Sequence, residues 1–297
     1  MKSQRLEARR LYQMSCYLCG SAEYRKRPGS VRDNPDIEVL ECSECSLVYL
    51  SSFDHINEGH YENSGMHADS EPDVDAWLNE TQVDDLRRYQ FLKNKLTNKK
   101  IIDFGCGNGG FLELARTNAK NVIGIELEKA LQSSFTTREL TVYSHQNEAI
   151  ESGQKWDIIT AFHVFEHLPD PRETLKALSS LLYGGGEIIV EVPSSDDVLL
   201  TLYNNESFQG FTYWSQHFFL FNAITLKKLV EQAGLRLNWV KHVQRYPLSN
   251  HLYWLVKGCP GGHKEWKFMN NKALNDQYEQ QLASLGLTDT IIASISS

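Results

Sequence analysis

The sequence predicts an α/β protein with a doubly wound, mostly parallel sheet, preceded by a small cysteine-bearing segment. Three observations carry this. From Lys99 onward, short apolar runs alternate with amphipathic stretches. One of those runs leads directly into a turn holding Gly105, Gly107, Gly109 and Gly110. Ahead of them lie two C-x-x-C pairs, Cys16 with Cys19 and Cys42 with Cys45.

The apolar runs are Ile101–Phe104, Val122–Ile125, Trp156–Phe162 and Glu187–Val192. Between them, Phe111–Thr117, Lys129–Leu140 and Pro171–Leu182 have helical spacing. Runs buried on both faces and separated by amphipathic helices build βαβ units. Thr225–Ala233 adds a helix stopped by Gly234, and Leu235, Leu237 and Trp239 then alternate as a strand would. Ahead of the sheet, Leu86, Tyr89, Phe91, Leu92 and Leu96 recur at helical spacing. The expected organisation is 1–52 as a zinc-ribbon segment, 53–98 as connector and helix, 99–258 as the main domain and 259–297 as a polar helical extension. Residues 53–80, with Asp69, Glu71, Asp73 and Asp75, read as irregular, and the last ten residues as weakly ordered.

Composition narrows the function. The 297 residues are 41% apolar and 23% charged, ordinary for a soluble enzyme with a sizeable core. The net charge of −8 argues against a nucleic-acid grip spread over the surface. Dense basic clusters occur at Arg5–Arg10 and Arg25–Arg27. No apolar run approaches the roughly 18–20 residues that span a bilayer, and the first residues lack a hydrophobic signal core. A cytoplasmic, reducing location is expected.

In the glycine turn, Ile101-Ile102-Asp103-Phe104-Gly105-Cys106-Gly107-Asn108-Gly109-Gly110 places a strand, a G-x-G-x-G turn and a helix start in succession. Glycines there let the backbone approach a ligand with no Cβ between, at the sheet edge where α/β folds bind nucleotides. The next strand ends in Glu126, placed to accept the hydroxyl hydrogens of a ribose. A dinucleotide fold shares these features. The glycine spacing with Asp103 just before it resembles the class I S-adenosylmethionine methyltransferases. That resemblance implies a seven-stranded sheet and a methyl donor held by Asp103, Gly105, Gly107, Gly109 and Glu126. The neighbours Cys106, Leu127, Phe162 and His163 complete the expected cofactor site.

The resemblance continues at Glu166-His167-Leu168-Pro169-Asp170-Pro171, which is similar to small-molecule methyltransferases of ubiquinone-pathway and sugar type, and at Tyr183-Gly184-Gly185-Gly186. His163, Glu166 and His167 fall at i, i+3 and i+4, a spacing that shares one helical face and suits a divalent ion. Ubiquinone-type relatives carry Glu where this chain has His163, which favours support of the pocket floor over a metal. Farther on, His217 lies in Tyr213-Trp214-Ser215-Gln216-His217-Phe218. This stretch resembles the Tyr-x-Glu-His of deoxysugar C-methyltransferases, with Gln216 in place of Glu and the tyrosine one position earlier. It makes His217 the leading candidate for a general base, with His167 and Glu166 behind it.

The C-x-x-C pairs, 22 residues apart, match a four-thiolate zinc site, structural because four sulfurs leave no open position. Cys106 and Cys259 have no such partners. A zinc knuckle ahead of a methyltransferase domain is similar to enzymes acting on nucleotide-linked deoxysugars and to enzymes acting on ribosomal RNA. The first hypothesis is therefore methylation of a small hydroxylated metabolite, such as a sugar. The second is an RNA methyltransferase using the knuckle and Arg5–Arg10. The third is a non-catalytic cofactor-binding protein.

Overall fold

The computed structural model of the chain describes residues 15–56, 60–62 and 72–297. The expected basic cluster Arg5–Arg10, and Asp69 and Glu71 of the connector, lie outside the described residues. In chain order the elements are β1 (Tyr24–Lys26), β2 (Val39–Cys42), β3 (Val48–Leu50), α1 (Val74–Leu96), β4 (Lys100–Phe104), α2 (Gly110–Ala115), β5 (Asn121–Ile125), α3 (Gln132–Thr137), β6 (Val142–Tyr143), α4 (Gln146–Glu151) and β7 (Trp156–Phe162). They continue with α5 (Pro171–Ser179), β8 (Leu182–Pro193), α6 (Glu206–Thr212), β9 (Phe219–Leu220), α7 (Ala223–Gln232), β10 (Arg236–Val243), α8 (Leu248–Lys257), α9 (Gly262–Glu265), α10 (Lys272–Leu285) and β11 (Thr290–Ser296).

Seven strands form one sheet in the order β10-β11-β8-β7-β4-β5-β6. The pairs among β8, β7, β4, β5 and β6 are parallel, and only β11 runs against its neighbours. The order reverses between β4 and β7, so the glycine turn after β4 and the segment after β7 open at one switch point, where such sheets bind ligands. Ile101, Ile102, Ile159, Ile188 and Val190 are fully buried, as strands covered on both faces require.

Local chemistry sets the helix ends. Asp73 caps α1 by accepting from the Ala76 amide at 3.0 Å. Asp170 caps α5 with Pro171 in its first turn. Asn222 and Thr225 form a reciprocal capping box on α7.

Three expectations are corrected. α1 begins at Val74, so the connector turns helical well before Leu86. Its buried Asp85 and Arg88 are charged residues that an apolar pattern does not reveal. β8 begins at Leu182 rather than Glu187 and runs through Gly184–Gly186. Residues 259–297 are helical as far as Leu285, but they do not end loosely: the last stretch is β11, paired with β8 on one side and β10 on the other. Ile291, Ala293 and Ile295 are fully buried there. Only a strand lodged inside a sheet covers both faces of such a run.

The cysteine segment is built into the main domain. Its strands continue into the main domain as β1-β2-β3-β9, with Val48 opposite Leu220 and Tyr49 opposite Phe219. Cys16, Leu18, Val39 and Tyr49 share one apolar core with Phe218, Phe221 and Leu226.

Candidate active site and metal centre

The turn after β4 carries Gly105, Gly107 and Gly109 at φ of +69°, +52° and +79°, a region open to glycine at little steric cost. A Cβ on Gly105 would lie 2.5 Å from Val164. Glu126 stands across the turn: its Oε2 accepts from the Gly107 amide at 2.8 Å and its Oε1 from the Glu128 amide at 3.0 Å. Burial raises the Glu126 carboxyl above the usual carboxylate range, against the pull of those amides. Asp103 is buried and accepts from the Thr160 hydroxyl at 2.7 Å. Burial pushes its carboxyl up to about 7, with Asp85 and Glu126 adding to the shift and Thr160 and Arg88 opposing it.

Expected cofactor residues separate by role. Phe162 ends β7 and meets Phe111 edge-on at 4.9 Å. Leu127 is half-buried beyond Glu126. Cys106 packs its thiol into a small core with Leu112, Leu131 and Phe135, and its amide donates to the Ile125 carbonyl at 3.2 Å. His163 joins a network of charged side chains. With φ of +55°, its ring turns to Glu191 at 3.3 Å and Arg245 at 3.2 Å, while Nδ1 meets Glu166 at 3.1 Å.

The residues of α1 that cover the glycine turn are not among those the sequence singles out. The Trp77 indole of α1 lies 3.4 Å from where a Gly107 Cβ would stand. Thr81 accepts from Asn108 at 3.0 Å. Glu191, fully buried at the end of β8, binds Arg88 through Nε at 2.9 Å and Nη2 at 2.7 Å, and Arg87 through Nη2 at 2.9 Å. Arg88 and His163 hold the Glu191 carboxyl well below its usual range despite burial. Asp84 of α1 pairs with Arg245. The spacing Asp84-Asp85-Leu86-Arg87-Arg88 was the available signal, since i,i+3 pairs of opposite charge share a face. Their partner across 100 residues was not visible.

Glu166, His167 and His217 converge: one ligand atom from each lies within 4.8 Å of the others. The fold does this by hydrogen-bonding the Phe218 amide to the Glu166 carbonyl at 2.8 Å. The His167 and His217 rings meet at 4.8 Å, with Trp214 beside both. His167 Nδ1 donates to the Gln216 carbonyl at 2.9 Å. Glu166 Oε2 and His217 Nδ1 are buried with no hydrogen-bond partner among the described residues. Burial opposes ionisation of Glu166, yet its contact with His163 and the nearby imidazoles keep its carboxyl below the usual range. Desolvation and the neighbouring His167 push the His217 imidazole down to about 3. His217, rather than His163, completes the convergent trio with Glu166 and His167, while His163 stays in contact with the Glu166 carboxylate through Nδ1.

Cys16 and Cys45 approach at 3.4 Å, as do Cys19 and Cys42, and the four sulfurs lie within 4.8 Å of one another. Four soft donors gathered this way fit tetrahedral zinc.

Residues 77–238, more than half the chain, match the family described as a methyltransferase domain, and the chain belongs to that family. With its seven-stranded sheet of class I order, it is an S-adenosylmethionine-dependent methyltransferase. It is similar to the ubiquinone biosynthesis O-methyltransferase of Leptothrix cholodnii, 26% identical over an alignment of 174 positions that covers 54% of this chain and 74% of that protein. Against the Methylococcus capsulatus enzyme of the same name the identity is 30% over 145 residues, covering 46% and 61%. A solved S-adenosylmethionine-dependent methyltransferase from Archaeoglobus fulgidus overlays with a TM-score of 0.48 at 20% identity, covering 75% of this chain and 99% of that one. The cysteine segment and β11 fall outside the family match. No helix among the described residues is long and apolar enough to cross a membrane.

The donor set suits the cofactor: three left-handed glycines leave the turn free of Cβ atoms at those positions, and the buried Asp103 and the Glu126 carboxylate stand beside it.

Proposed function

We propose that the chain methylates a small hydroxylated metabolite, a sugar or nucleotide-linked sugar, by in-line transfer with His217 as general base. The observation that carries this reading is the convergence of Glu166, His167 and His217, with the first two following β7 at the same end of the sheet as the glycine turn after β4. S-adenosylmethionine, when bound, supplies a methyl group on a positively charged sulfur. Glu126 would accept the ribose hydroxyls, Asp103 would serve the methionine end, and the amides of the glycine turn would pass beside it. His167, fixed by the Gln216 carbonyl, packs against His217 and sets its ring.

The two nitrogens of His217 differ. Nδ1 is buried without a hydrogen-bond partner among the described residues, so Nε2 would take the acceptor proton and the nearby Glu166 would balance the resulting charge. A base and an orienting site supply what such a transfer needs from a protein. Arg32, stacked 4.4 Å from the Trp214 ring and making no ion pair among the described residues, offers a cation beside that segment to an anionic acceptor. An acceptor screen with the purified enzyme tests the class: transfer to nucleotide-linked sugars with none to catechols or RNA is the expected result. Transfer to a catechol ring or to RNA would overturn it.

A second reading is favoured by the same three side chains. Two imidazoles and one carboxylate can hold a divalent cation, and His167 has its Nδ1 already committed to a carbonyl, leaving Nε2 to ligate. Turnover that falls on chelation while the cysteine-bound metal is retained would select this reading over the base.

We also propose zinc at Cys16, Cys19, Cys42 and Cys45 as a structural ion. The division of the chain at residues 52, 98 and 258 remains a proposal about sequence segments, with β11 belonging to the main sheet.

A further inference from the structure

The segment bearing His217 is held on its outer side almost entirely by the cysteine module. Arg32 donates its amide to the Tyr213 carbonyl at 2.8 Å and lays its guanidinium on Trp214. Asp33 accepts from both the amide and the hydroxyl of Ser215, at 3.0 and 2.7 Å. His55 Nε2 donates to the Ser215 carbonyl at 2.7 Å. The Leu50 amide donates to the Phe218 carbonyl at 3.1 Å, and Tyr49 and Val48 pair with Phe219 and Leu220. A cavity of about 10 Å³, at the lower limit for a single water, is all that separates Val39, Tyr49 and Leu50 from Tyr213, Trp214 and His217.

The same module reaches the opposite flank of the site. Tyr17, between two of the cysteines, donates to Asp170 at 2.5 Å and accepts from the Arg172 amide at 3.1 Å. Arg27 donates to the Ser195 carbonyl at 2.8 Å beyond β8. By contrast, α1 covers the glycine turn, and Glu126, just beyond β5, is tied to that turn through the Gly107 amide. The module therefore touches the acceptor side of the crevice and leaves the cofactor side to other elements.

We infer that residues 27–55 of the cysteine module form the outer wall of the acceptor site, and that metal at the four cysteines sets the position of the His217 segment without governing cofactor binding. This rests on the acceptor-side reading of that segment. Asp33 is its chief positioning residue. Two of its contacts go to Ser215, two residues from His217, while the cysteines fix the strand pair β2–β3 that carries Leu50. β2 ends in Cys42 itself, so its register depends on the metal-bound turn.

Hydrogen exchange on the full chain saturated with S-adenosylhomocysteine tests this, because local opening is read segment by segment. Stripping the metal with a chelator should speed exchange of residues 213–219 by about tenfold or more, while cofactor-product affinity stays within about threefold. Asp33→Ala should speed the same peptide with metal content unchanged, and Asp33→Asn, which keeps one acceptor oxygen, should restore part of the protection. Unchanged protection of 213–219 after metal loss would overturn the inference. So would loss of S-adenosylhomocysteine binding along with the metal, since the module would then support the whole fold. These readouts do not involve His217 as a base, so His217→Ala with full turnover would remove that role and leave the wall standing.

Discussion

The Glu126 carboxylate accepts a hydrogen bond from the Gly107 backbone amide at 2.8 Å, tying the end of β5 to the turn that follows β4. The acid expected to hold a ribose thus also fixes the loop beside it.

Glu126→Ala should therefore weaken S-adenosylhomocysteine binding by more than a ribose contact alone. A loss of about 100-fold is expected, since charge-assisted hydrogen bonds contribute roughly 1.5–3 kcal/mol each. Glu126→Gln should lose less because one acceptor oxygen remains. Titration calorimetry giving wild-type affinity for the alanine variant would remove Glu126 from the site.

Asp103 predicts a pH dependence of cofactor binding. Its carboxyl lies at about 7 in the protein described here, so near neutrality it is partly protonated. A cationic ligand favours the ionised form, so binding should release protons and tighten as pH rises from about 6 to 8. Calorimetry in buffers of differing ionisation enthalpy measures the protons directly. Asp103→Asn should abolish the slope and weaken binding most at the alkaline end of that range, where the wild-type carboxylate is ionised.

His217→Ala should reduce turnover by about 100- to 10,000-fold, with cofactor affinity within a few-fold. Because desolvation lowers the imidazole to about 3, the acid limb of the rate profile should lie well below the ordinary histidine range. A limb near 6.5 that persists in the variant would assign it to another group.

One zinc per chain is expected by elemental analysis of protein purified without chelator. Cys16→Ser should lose it, because three thiolates no longer close the tetrahedral site. Metal-free protein with wild-type melting behaviour would refute the assignment.

His251 predicts an acid-labile contribution to stability. It is buried between Gln244 and the Tyr278 hydroxyl, and desolvation lowers it to about 4. The unfolded chain binds its proton more readily, so this contribution is complete above about 6.5 and is lost as pH falls toward 4. His251→Gln should flatten the melting-temperature profile across that window.

The sequence by itself determined the βαβ alternation, the glycine turn with Asp103 and Glu126, and the pairing of two C-x-x-C turns. Each is written in residues close together, where period, turn chemistry and ligand spacing act locally. Tertiary structure decided the rest. His163 meets Glu166 as its spacing suggests, but only the fold brings Glu191 and Arg245 to its other nitrogen. His217 joins Glu166 because β9 is clamped between the 165–167 turn and the cysteine module. Arg88 meets Glu191 only when α1 lies across the sheet. β11 reads as a loose end in the chain and becomes an inner strand only because β8 and β10 leave a gap between them. Ion pairs and strand insertion are settled by burial, which no stretch of sequence displays until the layers close.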